Sequence, residues 1–339
     1  MINIYDFWKH REPKVVYSYI PEPTYRQKDP PELQRMAIDN IANWDRGGAN
    51  CPPVFMPDFG TVTTAKPFGG KVVKSSDGEQ IFIEHAAETI DEALAIVPTP
   101  NPDVDQAVAI YREVCRQTGR SDIRFVTPDF QGPLNTAAQI IKQDEFLVAL
   151  YTEPKKVHEF LGRVTDTLIE FQRRIRAQVR VDGNIWPYIW LPKEFGVVIT
   201  EDLMPLLSPE LYKEFGIPYL KRISEAFGGL FLHSCGQWTH NAQVLAESGL
   251  KILGIDFCYP YATIEKIQET LPGLVLQPGF EFYKEIEYAD FPAYVEGMIQ
   301  KRTGDTCLWF AMNSNPIWQF NRVKKVLEKH GAAEVAFTS

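Results

Sequence analysis

A histidine and a cysteine two residues apart, His233 and Cys235, stand in the run Gly229-Leu-Phe-Leu-His-Ser-Cys-Gly236. The apolar Leu230-Phe231-Leu232 reads as a short buried strand, and side chains two apart on a strand leave the same face. Imidazole and thiol then point together past the strand end, where Gly236 lets the backbone turn sharply. Both groups suit Zn2+, and a catalytic zinc takes three protein ligands with the fourth position open. Zinc lowers the pKa of a bound thiol, or polarises an ether oxygen as a Lewis acid. The spacing alone is weak: 6 His and 5 Cys in 339 residues give an H-x-C by chance with odds of about one in eleven. Position must carry the rest.

The elements around the pair supply a position. Apolar runs centred on Val54, Phe125, Val198, Phe231, Ile252, Val275 and Trp309 read as seven strands. An eighth is expected near Lys71–Glu84, where Asp77-Gly78 signals a hairpin turn, or near Asn184–Trp190. Helices lie between them. Pro154 to Gln178 carries Val157, Phe160, Leu161, Val164, Leu168 and Phe171 as a buried stripe, and another helix is expected from Asn135 to about Tyr151. Ser208-Pro209 opens one more, with Ser as cap and Pro at the first helical position. Strands alternating with helices over about 290 residues predict an α/β fold, a (β/α)8 TIM barrel. Residues 1–48 are expected as an N-terminal part, an irregular arm through Pro21, Pro23 and Pro30 and then a helix from Pro31. Residues 49–339 are expected as a single barrel domain. No Gly-x-Gly-x-x-Gly follows the first strand and no P-loop occurs.

Barrel enzymes work at the C-terminal mouths of their strands. The residues there are Asp58, Asp129, Glu201, Asp202, His233, Cys235, Asp256, Cys258, Gln277 and Asn313. Nearly every strand ends in a polar, ionisable or metal-capable group. Taken singly, an Asp after a strand is more often the cap of the next helix, and a lone Cys is more often a small core residue. Asp202 or Glu201 is placed to orient substrate or handle a proton. Asp58 and Asp129 are further acids for catalysis, while Gln277 and Asn313 are expected to contact a cofactor. Trp186, Tyr188 and Trp190 are candidates for a pocket wall.

Composition narrows the class. A net charge of −9 argues against a nucleic-acid partner. The 45% apolar content suits a large core, yet no run is long enough to span a membrane. The first residues lack a signal peptide's apolar stretch, and five scattered cysteines fit a reducing compartment. A cytoplasmic protein is expected, with a homodimer as the assembly left open.

Three stretches carry a family resemblance: Tyr151-Thr-Glu-Pro-Lys-Lys-Val157, Leu206-Leu-Ser-Pro-Glu-Leu-Tyr-Lys-Glu-Phe-Gly-Ile-Pro-Tyr219 and Phe231-Leu-His-Ser-Cys-Gly236. Over roughly residues 50–330 the chain resembles the uroporphyrinogen decarboxylase superfamily. The nearer branch is the zinc methyltransferases that pass methyl groups to or from a corrinoid protein. The resemblance implies Zn2+ on His233, Cys235 and a later Cys. It also implies a small methylated substrate or thiol, with methylcobalamin or a corrinoid protein as co-substrate.

Two places depart from the family. The decarboxylases' Arg-Gln-Ala-Gly-Arg loop is replaced by Met56-Pro-Asp58-Phe-Gly60, which would repel a polycarboxylate. The third-ligand place reads Asn313-Ser314. Cys258 is the first substitute and Cys307 the second, though Cys307 begins its strand, roughly 20 Å below the mouth; Asp256 is a further option. The alternatives are a metal-free decarboxylase using Asp58 or Asp129 to stabilise a cationic intermediate, and a degenerate barrel that only binds.

Overall fold

Runs of β-branched and aromatic residues alternate with amphipathic stretches along this chain, and the structure, a computed structural model, follows that alternation. It describes residues 1–21, 29–47, 51–76, 81–184, 188–280, 287–313 and 315–337. Among these, the strands are β1 (Ile2–Asn3), β2 (Val15–Ile20), β3 (Val54–Phe55), β4 (Val72–Lys74), β5 (Ile81–Ile83), β6 (Arg124–Thr127) and β7 (Val181–Asn184). They continue as β8 (Val197–Thr200), β9 (Leu230–Ser234), β10 (Ile252–Tyr259), β11 (Val275–Phe280), β12 (Cys307–Asn313) and β13 (Ala333–Ala336).

Eight of them form one curled parallel sheet in the order β1-β13-β2-β12-β11-β10-β9-β8. A second parallel sheet runs β3-β6-β7. The two are joined where Gln131, after β6, bridges Thr200 at the end of β8. Strands β8 and β9 are buried on both faces, as parallel strands covered by helices must be. The long helix Pro154–Gln178 buries the stripe its spacing foretold, with Ile175 added. Each such side chain contributes about 1.5–3 kcal/mol of apolar burial.

All seven expected strands are present. The eighth is not where the sequence placed it. Lys71–Glu84 gives β4 and β5, an antiparallel pair outside the main sheet. The strand near Asn184–Trp190 comes earlier, since β7 ends at Asn184. The arm of residues 1–30 is corrected most. Val15-Val-Tyr-Ser-Tyr-Ile20 is a buried strand between β12 and β13, pairing Leu308–Asn313 residue for residue. Burial on both faces leaves no alternation to read, and Pro13 and Pro21 on either side gave it the look of a loop. The helix expected over Asn135–Tyr151 is two helices, Pro133–Ile140 and Gln143–Thr152, because Ile141 is extended. The Asp77-Gly78 turn, Pro23, Trp186 and Ser314 lie outside the described residues.

Candidate functional site

Register builds the site. Thr200 pairs with His233, His233 with Asp256, and Asp256 with Gln277, so one row crosses β8, β9, β10 and β11. Partners in a parallel ladder share a face, so these four side chains face the same way. His233 is almost wholly buried and its Nδ1–H donates to Asp256 Oδ2. A carboxylate at that nitrogen orients the ring and turns Nε2 toward Asp202 and Cys235. Nε2 faces Asp202 Oδ1 at 3.9 Å.

Asp202 is brought in by the turn after β8, where the Glu201 N–H donates to the His233 carbonyl at 2.8 Å. Beyond the end of β9 the Cys235 N–H donates to Asp202 Oδ1 at 3.1 Å, and the Cys235 thiol reaches the same oxygen at 3.4 Å. One ligand atom from each of Asp202, His233 and Cys235 lies within 4.8 Å of the others. Among the described residues this is the grouping of three His, Cys, Asp or Glu side chains close enough to hold one ion. Cys235 is exposed and Asp202 partly so, so solvent reaches the side opposite His233.

Electrostatics follow from this crowding. Burial opposes a charge on His233, but Asp256, with Cys235 and Asp202, outweighs it and raises its pKa well above the usual value. Asp129 follows β6 and is buried; burial lifts its carboxyl to about 6, against the Gln131 amide and the charge of His233. The Gln131 Nε2 donates to Asp129 Oδ2 at 2.7 Å. Burial, and then Asp202, lifts Glu201 to about 8. Glu201, just past the end of β8, is fully buried. Its carboxylate lies against Gly132, where a Cβ would sit 1.7 Å from Oε1.

The other sequence candidates separate. Asp58 accepts the Gly60 N–H at 2.9 Å and adds its charge to that of Asp202 on Asp129. Gln277 stands in the row beside Asp256. Cys258 lies two residues past Asp256, beside Gly279, and outside the group of three. Cys307 begins β12 and is buried, with its thiol donating to the Arg11 carbonyl at 3.2 Å. It is a packing residue at the other end of the sheet. Asn313 accepts the Asn315 N–H at 2.9 Å and shapes the turn after β12. The third group beside His233 and Cys235 is thus Asp202, a residue read from the sequence as an acid for catalysis. Asp256 orients the imidazole. Gln131 and Thr200, which tie Asp129 to β8, were not singled out; only their place beside a strand-end acid marked them.

Comparison with known proteins agrees with the fold. A family model described as uroporphyrinogen decarboxylase (URO-D) matches residues 56–277, nearly two thirds of the chain. A uroporphyrinogen decarboxylase of Myxococcus xanthus (strain DK1622) is 25% identical over 189 residues, covering 52% of this chain and 50% of that protein. The chain therefore matches about half the length of that relative. The solved structure of a methyltransferase from Methanosarcina mazei superposes with a TM-score of 0.61 at 15% identity, covering 92% of this chain and 94% of the other. At that identity the likeness is one of fold.

Proposed function

Because the chain belongs to the uroporphyrinogen decarboxylase family, we propose that it is a metal-assisted methyltransferase, moving a methyl group between a small methylated substrate or thiol and a corrinoid protein. The observation that carries this reading is the meeting of Asp202, His233 and Cys235, with the imidazole oriented by Asp256. The donor set fits Zn2+: an imidazole nitrogen, a thiolate and a carboxylate oxygen are its usual ligands, and three of them leave one position for substrate. The carboxylate behind the histidine is the partner that metal-bound imidazoles almost always have. When bound, zinc would supply a Lewis acid and keep an incoming thiol deprotonated. The reading takes the curled sheet as the wall of a closed (β/α)8 barrel and the cytoplasm as the compartment.

The chain's own residues do the rest. His233 presents Nε2 because Nδ1–H is committed to Asp256. Asp202 is held toward the pair by the Cys235 N–H. Asp129 is a buried acid with a pKa of about 6, suited to give or take a proton on the substrate near neutrality. Elemental analysis of protein purified without added zinc, followed by a methylcobalamin-to-thiol transfer assay, tests the proposal. About one zinc per chain is expected, with metal and transfer both lost in Cys235→Ser. Zinc far below one per chain, together with chelator-insensitive CO2 release from a carboxylated pyrrole, would replace it with the decarboxylase reading.

A further inference from the structure

The helix Pro133–Ile140 packs its first turn against the end of β8, and Asn135 in that turn is nearly fully buried. All its polar atoms are engaged. Its Oδ1 accepts the Leu203 N–H at 2.7 Å, and its Nδ2 donates to the Thr200 carbonyl at 3.1 Å and to Gln131 Oε1 at 2.8 Å. The same Gln131 amide gives its Nε2 to Asp129. One side chain thus grips both ends of the 201–202 turn and, through a second amide, the carboxyl of Asp129. We propose that Asn135 is a positioning residue that locks Asp202 and Asp129 into one rigid unit beside His233 and Cys235. The inference deepens the metal reading above and rests on it for its effect on the ion.

The physical reason is that Asp202 sits on a turn, not on a strand, so the sheet ladder does not hold it. Leu203 and Thr200 flank it, and Asn135 fixes both. A group hydrogen-bonded directly to a metal ligand typically changes affinity about 10–100-fold. Asn135 holds the backbone on either side of Asp202, one step further out, so its effect falls at or below the lower end of that range.

The test compares wild type, Asn135→Ala and Thr165→Ala, the last removing a buried hydroxyl bond to the Leu161 carbonyl in a different helix. Zn2+ affinity is measured by competition with a chromophoric chelator, and hydrogen exchange is followed for the segment containing Leu203. Asn135→Ala is expected to weaken zinc by up to about 10-fold and to speed exchange at 201–203, while Thr165→Ala changes neither. Unchanged affinity in folded Asn135→Ala overturns the proposal. Should wild type bind no zinc, the metal reading fails on its own. The locking role is then decided by exchange, and an unaltered rate at Leu203 overturns it. Asn135→Ser carries the same comparison if the alanine variant does not fold.

Discussion

Asp256 makes one contact that decides what His233 can be. With the carboxylate on Nδ1, the ring offers Nε2 outward; without it, the other tautomer competes and the ring is free to rotate. Asp256→Asn is therefore expected to lower zinc affinity about 10–100-fold, with the fold retained, as read by chelator competition. Asp202→Asn should lose at least as much, since a weaker ligand replaces a charged one. Asp129 gives a prediction in pH. Its folded-state pKa of about 6 exceeds its ordinary value of 3.8. The folded state therefore holds the proton longer, and this contribution favours folding at low pH and is lost as pH rises from about 4 through about 6. By pH 8 the buried charge costs about 3 kcal/mol. Asp129→Asn, which keeps the acceptor for Gln131, should stabilise the metal-free protein at pH 8 by up to that amount. Below about pH 4 the gain should vanish; urea unfolding at the two pH values checks it. Every side chain in these tests lies on, or just after, a strand that could be read from the sequence. Which of them meet could not be read, because His233 and Asp256 are brought together by register between strands 23 residues apart.

At the scale of elements, the helix Pro133–Ile140 comes close to the end of β8. Gly132 precedes that helix, and its lack of a side chain is what lets the Glu201 carboxyl pack there. An added Cβ would also stand 3.0 Å from the Thr200 carbonyl oxygen, so the buried Glu201 carboxyl would have to shift. Gly132→Ala should destabilise the fold by about 1–3 kcal/mol, measured by urea unfolding. Trimming the obstacle in the double variant Gly132→Ala, Glu201→Ala should recover part of the loss. Glycine before proline in Gln131-Gly-Pro looks like any loop in the sequence. Its necessity comes from a carboxylate nearly seventy residues later. Helices with a long one-sided stripe, such as Pro154–Gln178, were legible to within a few residues. The break at Ile141 was not, since the apolar pattern runs on through it and only its bridge to Ala87 pulls the backbone extended.

For the molecule as a whole, the sheet was legible in its middle and not at its margin. Seven strands could be counted because nearly all of them end in a polar residue, and all but the first lead into a helix. The segment Val15–Ile20 is also followed by a helix, Pro30–Ala42, but prolines on both sides make it look like a loop, and its place in the sheet depends on β12 and β13, some three hundred residues away. Deleting residues 1–20 separates the two possibilities. A loose arm would be dispensable, whereas a buried strand is not. The truncated chain is expected to lose cooperative thermal unfolding, followed by circular dichroism, along with most of its soluble yield.

The strand Ala333–Ala336 lies between Ile2–Asn3 and Val15–Ile20, and Phe337 just beyond it packs edge-on against Trp190 at 4.8 Å. The earliest and latest parts of the chain are thus stitched together on one side of the sheet. During synthesis β8, β9 and β10, which hold His233 and Asp256 and lead into the Asp202 turn, can pair with one another as soon as they emerge, but β2 must wait for β12 and β13, some three hundred residues later. Until then Val15, Val16, Tyr17 and Ile20, all buried in the finished sheet, stay open to solvent. Until β12 and β13 follow, the nascent chain carries a sticky edge, and a ribosome stalled before residue 307 should display that edge to chaperones while β8, β9 and β10 are already paired.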